Sequence, residues 1–328
     1  GRFLDQHYIM GTCPHASGSQ MPNLRQLEYL VALDETRHFR RAAERANTTQ
    51  PTLSDQLKAL EVRLGAQLVE RTRNKVMITP LGAQIVQIAR RMLADADEIR
   101  ALAMSGGREL AGILRLGLPA SVGPYLLPLV IPELQKHYPG LKLYVREELP
   151  SGLPNALAEG RHDLVLSLLP VNHAEIVFED LLREPLYLAV ARDHPLAGRS
   201  QALRGDLKGQ DILALGRGHQ LHDAVLALSE EFGARLRFDY EGTSLDTLRE
   251  MVAMGLGVTF LPGLYCRAVA ARDDSIAILE LGDRSIYRTI GIMWRRASAR
   301  GEQYRDLARL LRVLTAREFP DCTVLGAA

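Results

Sequence analysis

Residues 39–79 limit what this chain can fold into more than any other stretch. Ala42, Ala43 and Ala46 are small residues at helical spacing, and Asn47-Thr48-Thr49 then interrupts the helix. Pro51 follows in what reads as the first turn of the next helix, where a missing N–H costs nothing, with Thr49 or Gln50 as its cap. In that next helix Leu53, Leu57, Leu60 and Leu64 form one apolar stripe. Projected at about 100° per residue, Pro51, Ser54, Asp55 and Lys58 fall on the opposite half. Gly65 ends the helix, and Leu68 to Thr79 reads as strand, turn, strand, with Arg71, Arg73 and Lys75 around the turn. Upstream, Leu24, Leu27, Leu30, Val31 and Leu33 predict a first helix that ends near Thr36. Three short helices and a basic hairpin are the sequence form of a winged helix-turn-helix. In that form the third helix enters a DNA major groove amino end first. Thr49, Gln50, Pro51, Thr52, Ser54 and Asp55 then stand at the groove. Gln50 and Thr52 are placed to reach base edges, Lys58 to meet a phosphate, and Arg71, Arg73 and Lys75 to line a wing against the backbone. The competing reading is a helical hairpin with a solvated charged face; the wing and the long helix after it weigh against that.

The long helix is predicted from about Pro80 to Met104. Ile85, Ile88, Met92, Ala96, Ile99 and Ala103 keep a three/four spacing, with Arg90, Arg91, Asp95 and Glu98 elsewhere on its surface. Such a seam needs a partner to cover it, and a second copy of the chain answers that need. A helix packed on its own domain is the alternative. Ser105-Gly106-Gly107 reads as a flexible joint.

Composition narrows the function classes. The 328 residues suggest about two domains. With 40 Lys+Arg against 39 Asp+Glu the molecule is no polycation, so a nucleic-acid surface must arise by local clustering. Cys13, Cys266 and Cys322 are too scattered for a disulfide framework or a zinc site, which suits a reducing cytoplasm. No apolar run approaches the roughly 18 residues needed to span a bilayer, so no membrane partner is expected. Residues 1–20 lack the apolar core of a signal peptide and read as a tag or disordered extension.

Beyond the joint, strands and helices alternate. Strands are predicted at Gly112–Leu118, Leu141–Glu147, Asp163–Leu169, Leu186–Ala191, Asp211–Leu215, Leu236–Tyr240, Val258–Leu261 and Thr289–Trp294. Helices are predicted at Val122–Tyr138, Leu153–Glu159, Ala224–Phe232, Leu245–Met254 and Glu302–Leu314. The alternation predicts an α/β fold with a mainly parallel sheet. Ligands of such sheets sit at strand carboxyl ends and helix amino ends. Ser121, Val122, Ser167, His219, Gln220 and Ser244 occupy such positions and are the candidate effector-binding residues. Helix amino ends and hydroxyls there favour a small polar, even anionic, molecule. Ser121 and Ser244 also suit plain helix capping, and His219 also reads as an ordinary loop histidine. There is no Gly-x-Ser-x-Gly, phosphate loop, dinucleotide glycine triplet or His-Glu-x-x-His, so no enzyme, cofactor or metal is expected.

These runs resemble LysR-type transcriptional regulators, and within them the peroxide-sensing OxyR group. The resemblance is carried by Leu27-Glu28-Tyr29-Leu30-Val31-Ala32-Leu33, Arg37-His38-Phe39-Arg40-Arg41-Ala42-Ala43 and Gln50-Pro51-Thr52-Leu53-Ser54. In the second half it is carried by Val122-Gly123-Pro124-Tyr125-Leu126-Leu127-Pro128, Gly218-His219, and Thr243-Ser244-Leu245 with Thr247-Leu248-Arg249. It implies a winged helix-turn-helix over 21–80 and a linker helix and hinge over 81–107. A two-lobed, periplasmic-binding-protein-like effector domain follows over 108–318, before a tail at 319–328. Lobe I would comprise about 108–185 and 286–318, and lobe II about 186–285. The implied partners are promoter DNA, a small effector, further copies as homodimer or homotetramer, and RNA polymerase. One departure matters. In the OxyR group the residue after the Gly-His pair is a peroxide-reactive cysteine, with a resolving cysteine nine positions on. Here those places hold Gln220 and Ser229, which cannot form a disulfide. Cys266, after an apolar run, reads as a buried inert thiol or a substitute sensor, and Cys322 as exposed and unpartnered. A solute-binding or catalytic domain fused to a DNA anchor is the alternative from another class.

Overall fold

The computed structural model describes residues 21–71, 76–105, 110–242, 244–283 and 285–325. The chain forms two compact units that meet at Leu93/Ala94, inside one continuous helix.

In the first unit, α1 (Leu24–Thr36), α2 (Phe39–Arg45) and α3 (Gln50–Leu64) precede a two-stranded antiparallel hairpin, β1 (Val69–Arg71) and β2 (Val76–Ile78). Each helix starts where a side chain satisfies free backbone N–H groups. Asn23 and Gln26 make a capping box for α1, the His38 ring accepts from the Arg41 N–H at α2, and Thr49 caps α3. Asn47 adopts φ 50°, the left-handed turn expected between α2 and α3. Leu30, Leu33, Ala42, Leu53, Leu57 and Leu60 close the core at essentially zero exposure. Leu64, expected to complete the stripe, is 36% exposed, because Gly65 turns the chain away one residue later.

Two side chains join the hairpin to its helices. Glu61 Oε1 accepts the N–H groups of Leu68 (2.8 Å) and Val69 (2.9 Å), fixing the start of β1 to α3. Thr79 Oγ1 donates to the Gln67 carbonyl and accepts the Gly82 N–H, both at 2.9 Å. Gly82 lies in the first turn of α4 (Pro80–Ser105), and a Cβ there would stand 2.3 Å from the Leu68 carbonyl oxygen. Only glycine permits that approach. Further along α4, the buried Arg90 guanidinium pairs with Asp34 at 2.9 Å and with Glu35. Ile88, Met92 and Ile99 of the same helix stay exposed at 51%, 44% and 69%.

The second unit contains β3 (Gly112–Leu118), α5 (Gly123–His137), β4 (Leu141–Glu147), α6 (Leu153–Ala158), β5 (Leu164–Leu169) and β6 (Ile176–Ala191). Next come β7 (Gln201–Ala202), β8 (Asp211–Leu215), α7 (Gln220–Phe232), β9 (Arg235–Gly242), α8 (Leu245–Ala253) and β10 (Thr259–Pro262). The chain finishes with α9 (Gly263–Ala268), β11 (Ile276–Leu281), β12 (Tyr287–Arg295), α10 (Gly301–Glu318) and β13 (Thr323–Val324). One sheet runs in the order β4-β3-β5-β12-β6-β11-β7.

The mainly parallel sheet expected from the alternation is corrected. β3 is parallel to β4 and β5, and β8 to β9. β6, however, is antiparallel to β10, β11, β12 and β13, and β12 is antiparallel to β5. The chain leaves its first core along β6 and returns along β12, and two such crossings must run in opposite directions. Pro185 lies between them. It is the last β6 residue to pair with β12, opposite Tyr287, and Leu186 is the first to pair with β10, opposite Pro262. A residue at this exchange of partners needs no N–H for either ladder, which admits a proline inside a long strand.

Two apolar clusters lie on either side of that exchange. One gathers Leu114, Leu116, Leu126, Val130, Leu166, Ile290, Trp294, Tyr304 and Leu311. The other gathers Leu188, Val190, Leu213, Val225, Leu248, Phe260 and Tyr265.

Candidate nucleic-acid interface and effector site

At the amino end of α3, Thr49, Gln50, Pro51, Thr52, Asp55 and Lys58 are exposed and Ser54 is half-buried. Thr49 accepts the Thr52 N–H at 3.3 Å, and the two hydroxyls lie 2.8 Å apart, so both help to define the helix start. Gln50 and Lys58 then project from a rigid, capped helix. Its opposite side is held by the fully buried Gln26 of α1, whose Nε2 donates to Gln56 Oε1 at 3.1 Å. This latch is invisible in the sequence, where the two glutamines are thirty residues apart. Arg71 ends β1; Arg73 and Lys75 lie outside the described residues.

The effector candidates separate into distinct environments. Ser121, 7% exposed, is held by an arginine that the sequence did not single out. Arg288 of β12 donates to Ser121 Oγ (3.1 Å) and to the Ser121 carbonyl (2.9 Å), while its Nε donates to Glu184 Oε1 at 2.5 Å. Glu184 of β6 is wholly buried, and its second oxygen accepts the Leu264 N–H at 2.9 Å. One ion pair therefore links the start of α5, the two crossing strands and the start of α9. Above it Tyr125 of α5 meets Tyr265 of α9 edge-on, centroids 5.2 Å apart. The Tyr265 hydroxyl in turn donates to Asp246 at 2.9 Å.

Val122 is a correction to the expected set. Its side chain is fully buried in the apolar cluster with Leu126, and its N–H donates to the Pro119 carbonyl at 2.9 Å, so neither is left for a ligand. Ser167 is 2% exposed and sits within the sheet opposite Gly291. Ser244 accepts the Thr247 N–H at 3.2 Å, so its hydroxyl caps α8.

His219 and Gln220 begin α7. Gly218 before them adopts φ 92°, and a Cβ there would come to 3.6 Å from Leu149 Cδ1 and Ser151 Oγ, so this loop closely faces the turn before α6. His219 occupies the cap position without making a side-chain cap bond. Burial, with His222 nearby, holds its imidazole below the usual histidine pKa. Gln220 Oε1 is buried with no hydrogen-bond partner.

Ser229, 2% exposed, donates to the Leu226 carbonyl at 2.7 Å inside α7. Cys266 is 5% exposed and its Sγ lies 3.7 Å from the Leu261 carbonyl oxygen. Burial, reinforced by Glu184, pushes its thiol far above the usual range. Cys322 is not exposed as expected: pairing of β13 with β6 draws it against the Leu182 side of the core, and burial raises its thiol to about 12. Neither carries appreciable thiolate at neutral pH. Among the described residues no cluster of His, Cys, Asp and Glu is arranged to hold a metal, and no helix is long and apolar enough to cross a membrane.

Comparison with known proteins agrees with this architecture. Residues 24–83 match the model of the bacterial regulatory helix-turn-helix protein, lysR family, and residues 107–315 match that of the LysR substrate binding domain. The DNA-binding transcriptional dual regulator OxyR of Escherichia coli K12 is 40% identical over 290 residues, 88% of this chain and 95% of that protein. The HTH-type transcriptional regulator EstR of Acinetobacter baylyi is 32% identical over 297 residues, 90% of this chain and 98% of its own. A full-length OxyR variant from Pseudomonas aeruginosa superposes with a TM-score of 0.74 at 35% identity, covering 89% of this chain and 95% of that one. A Corynebacterium glutamicum OxyR mutant with hydrogen peroxide bound gives 0.63 at 30% identity, covering 90% and 94%. With both halves matched in order and no enzyme among these relatives, the chain belongs to the LysR family of DNA-binding transcriptional regulators, with an OxyR-like effector domain.

Proposed function

We propose that this regulator responds to a small polar molecule in the cleft between the lobes, and not to peroxide through a disulfide. The observation that carries this reading is the pair Gln220, the first residue of α7, and Ser229, in its last turn, where the resemblance to the OxyR group places cysteines. The inert settings of Cys266 and Cys322 support it, because thiolate is the species that attacks peroxide. A DNA footprint on the upstream intergenic region, taken with and without peroxide, tests it. The footprint is expected to stay the same in peroxide for wild type and for Cys266→Ser. A peroxide-dependent footprint that Cys266→Ser abolishes would transfer sensing to that thiol and overturn the reading.

On the DNA side the proposal assigns Gln50 and Thr52 to base edges, with Thr49, Pro51, Ser54 and Asp55 shaping that end of the helix. Lys58, Arg71, Arg73 and Lys75 are assigned to the backbone. The promoter is bound by a homodimer or a homotetramer, with RNA polymerase as the further partner. Gln50→Ala is expected to lower discrimination at one base pair by about 1–3 kcal/mol while non-specific affinity changes little. Lys58→Ala is expected to weaken all sequences alike and to reduce the slope of log K against log salt by about one. Titrations of operator and scrambled DNA at several salt concentrations separate the two effects, and equal behaviour of the two variants contradicts the assignment.

A further inference from the structure

We propose that Asp55 sets part of the operator sequence, its carboxylate accepting from the N4 amino group of a cytosine in the major groove. This rests on the docking of α3 proposed above and gives Asp55 a role beyond shaping that end of the helix.

The geometry of α3 points to it. At 100° per residue Asp55 lies within about 40° of directly opposite each of the buried Leu53, Leu57 and Leu60. Pro51 and Lys58 fall within about 60° of it on one side, and Thr52 within about 60° on the other. Asp55 therefore occupies the midline of the exposed face, the part of a helix laid in the groove that comes closest to the base edges. Its backbone is fixed there, because the neighbouring Gln56 accepts the Gln26 side-chain amide on its own Oε1 at 3.1 Å. The Asp55 carboxylate is exposed and makes no hydrogen bond or ion pair with a described residue. Lys58, one turn on, is the only charged side chain within four residues of it, and the two do not pair.

The chemistry of a carboxylate then selects the base. An ionised carboxylate only accepts hydrogen bonds, and here it enters a groove walled by phosphates that repel it. It lowers affinity for every sequence that offers no donor in return. In the major groove guanine shows two acceptors, and thymine an acceptor and a methyl group. Adenine shows its N6 amino group beside the N7 acceptor, which opposes the second carboxylate oxygen. Cytosine shows its N4 amino group with no acceptor of its own beside it. An aspartate at this place favours cytosine and turns away the other three bases.

Selection from a pool of randomised duplexes, with the bound fraction sequenced, tests this on the full chain as wild type, Asp55→Ala, Asp55→Asn and Gln50→Ala. Wild type is expected to prefer cytosine about tenfold at one position of the half-site. Asp55→Ala is expected to lose that preference there alone and to bind scrambled DNA more tightly than wild type. Asp55→Asn is expected to change the preferred base at the same position from cytosine to adenine, since an amide donates to N7 and accepts from N6. Asp55→Ala with every preference intact, or with all preferences weakened alike, overturns the role of Asp55, as does Asp55→Asn that keeps cytosine. Relaxed selectivity in Gln50→Ala then leaves α3 in the groove. If Gln50→Ala also selects as wild type does, the docking of α3 falls with it.

Discussion

Arg288→Met is expected to lower the free energy of unfolding by about 3–5 kcal/mol, a fall in melting temperature on the order of 10 °C for a unit of this size. The substitution leaves the Glu184 carboxylate at zero exposure with only the Leu264 N–H for company. Removing one partner of a buried ion pair strands the other, whereas replacing both by apolar residues of similar volume is often tolerated. The double variant Glu184→Leu/Arg288→Met should therefore recover most of the loss, and urea unfolding of the three proteins measures it. The deficit should also depend on pH. Burial already pushes the Glu184 carboxyl upward against the pull of Arg288 and the Leu264 N–H, and without the arginine the push is larger. A carboxyl whose folded pKa lies above its unfolded value leaves the folded state binding the extra proton. Stability then falls as pH rises from the ordinary carboxylate range towards neutrality. The single variant should be closest to wild type in mild acid and furthest from it near pH 7. A deficit that shrinks with rising pH contradicts this account of the pair.

Ile88→Glu combined with Ile99→Glu is expected to weaken self-association at least about 100-fold, some 3 kcal/mol. Ile88, Met92 and Ile99 fall within an arc of about 40° on α4 at 100° per residue. The opposite side of that helix is already covered, with Val86, Ala89 and Ala101 at 5% exposure or less. Burying a full Ile or Met side chain stabilises by roughly 1.5–3 kcal/mol, so two copies meeting along this stripe gain enough to associate. A glutamate there must be desolvated against an apolar partner. Sedimentation at several protein concentrations reads the shift from dimer to monomer, and affinity for a two-half-site operator should fall with it. An unchanged dimer in the double variant means that the stripe is not the contact.

Elements whose residues answer to one local pattern were legible in the sequence. The alternation in Gly112–Leu118 and the short apolar run Asp211–Leu215 give strands with those same bounds. α3 begins at Gln50 because Thr49 caps it and Pro51 suits its first turn. The first half of β6 was not legible. Glu179, Asp180, Arg183, Glu184 and Pro185 give it no apolar pattern of its own, yet the strand persists because β12 lies alongside it from residue 176 to 185. β11 escaped notice for a similar reason: it is paired on both edges, with β6 and β7, and owes its form to those neighbours. The site followed the same division. His219 and Gln220 could be located because they follow a glycine turn at a helix start. Arg288 and Glu184 lie 104 residues apart, each in a strand whose own pattern gives no sign of the other. Val122 occupied the expected place at the start of α5, but its side chain turns into the core.

The sixteen residues of β6 have one further consequence. Its first ten are laced to β12 and its last six to β10 and β11, so a single uninterrupted strand is a structural member of both halves of the effector domain. Neither half can melt without stripping one end of a ladder that the other half is using. The domain should lose its structure in one cooperative step, with the slowest-exchanging amides running along β6 on both sides of Pro185. Movement of one half against the other should then concentrate at the two crossings, at Pro185 of β6 and where the chain enters β12 at Tyr287. There β6 passes from β12 to β10 between Pro185 and Leu186, and the Leu186 N–H donates to the Ile286 carbonyl at 2.8 Å, so the two crossings are held side by side where they bend.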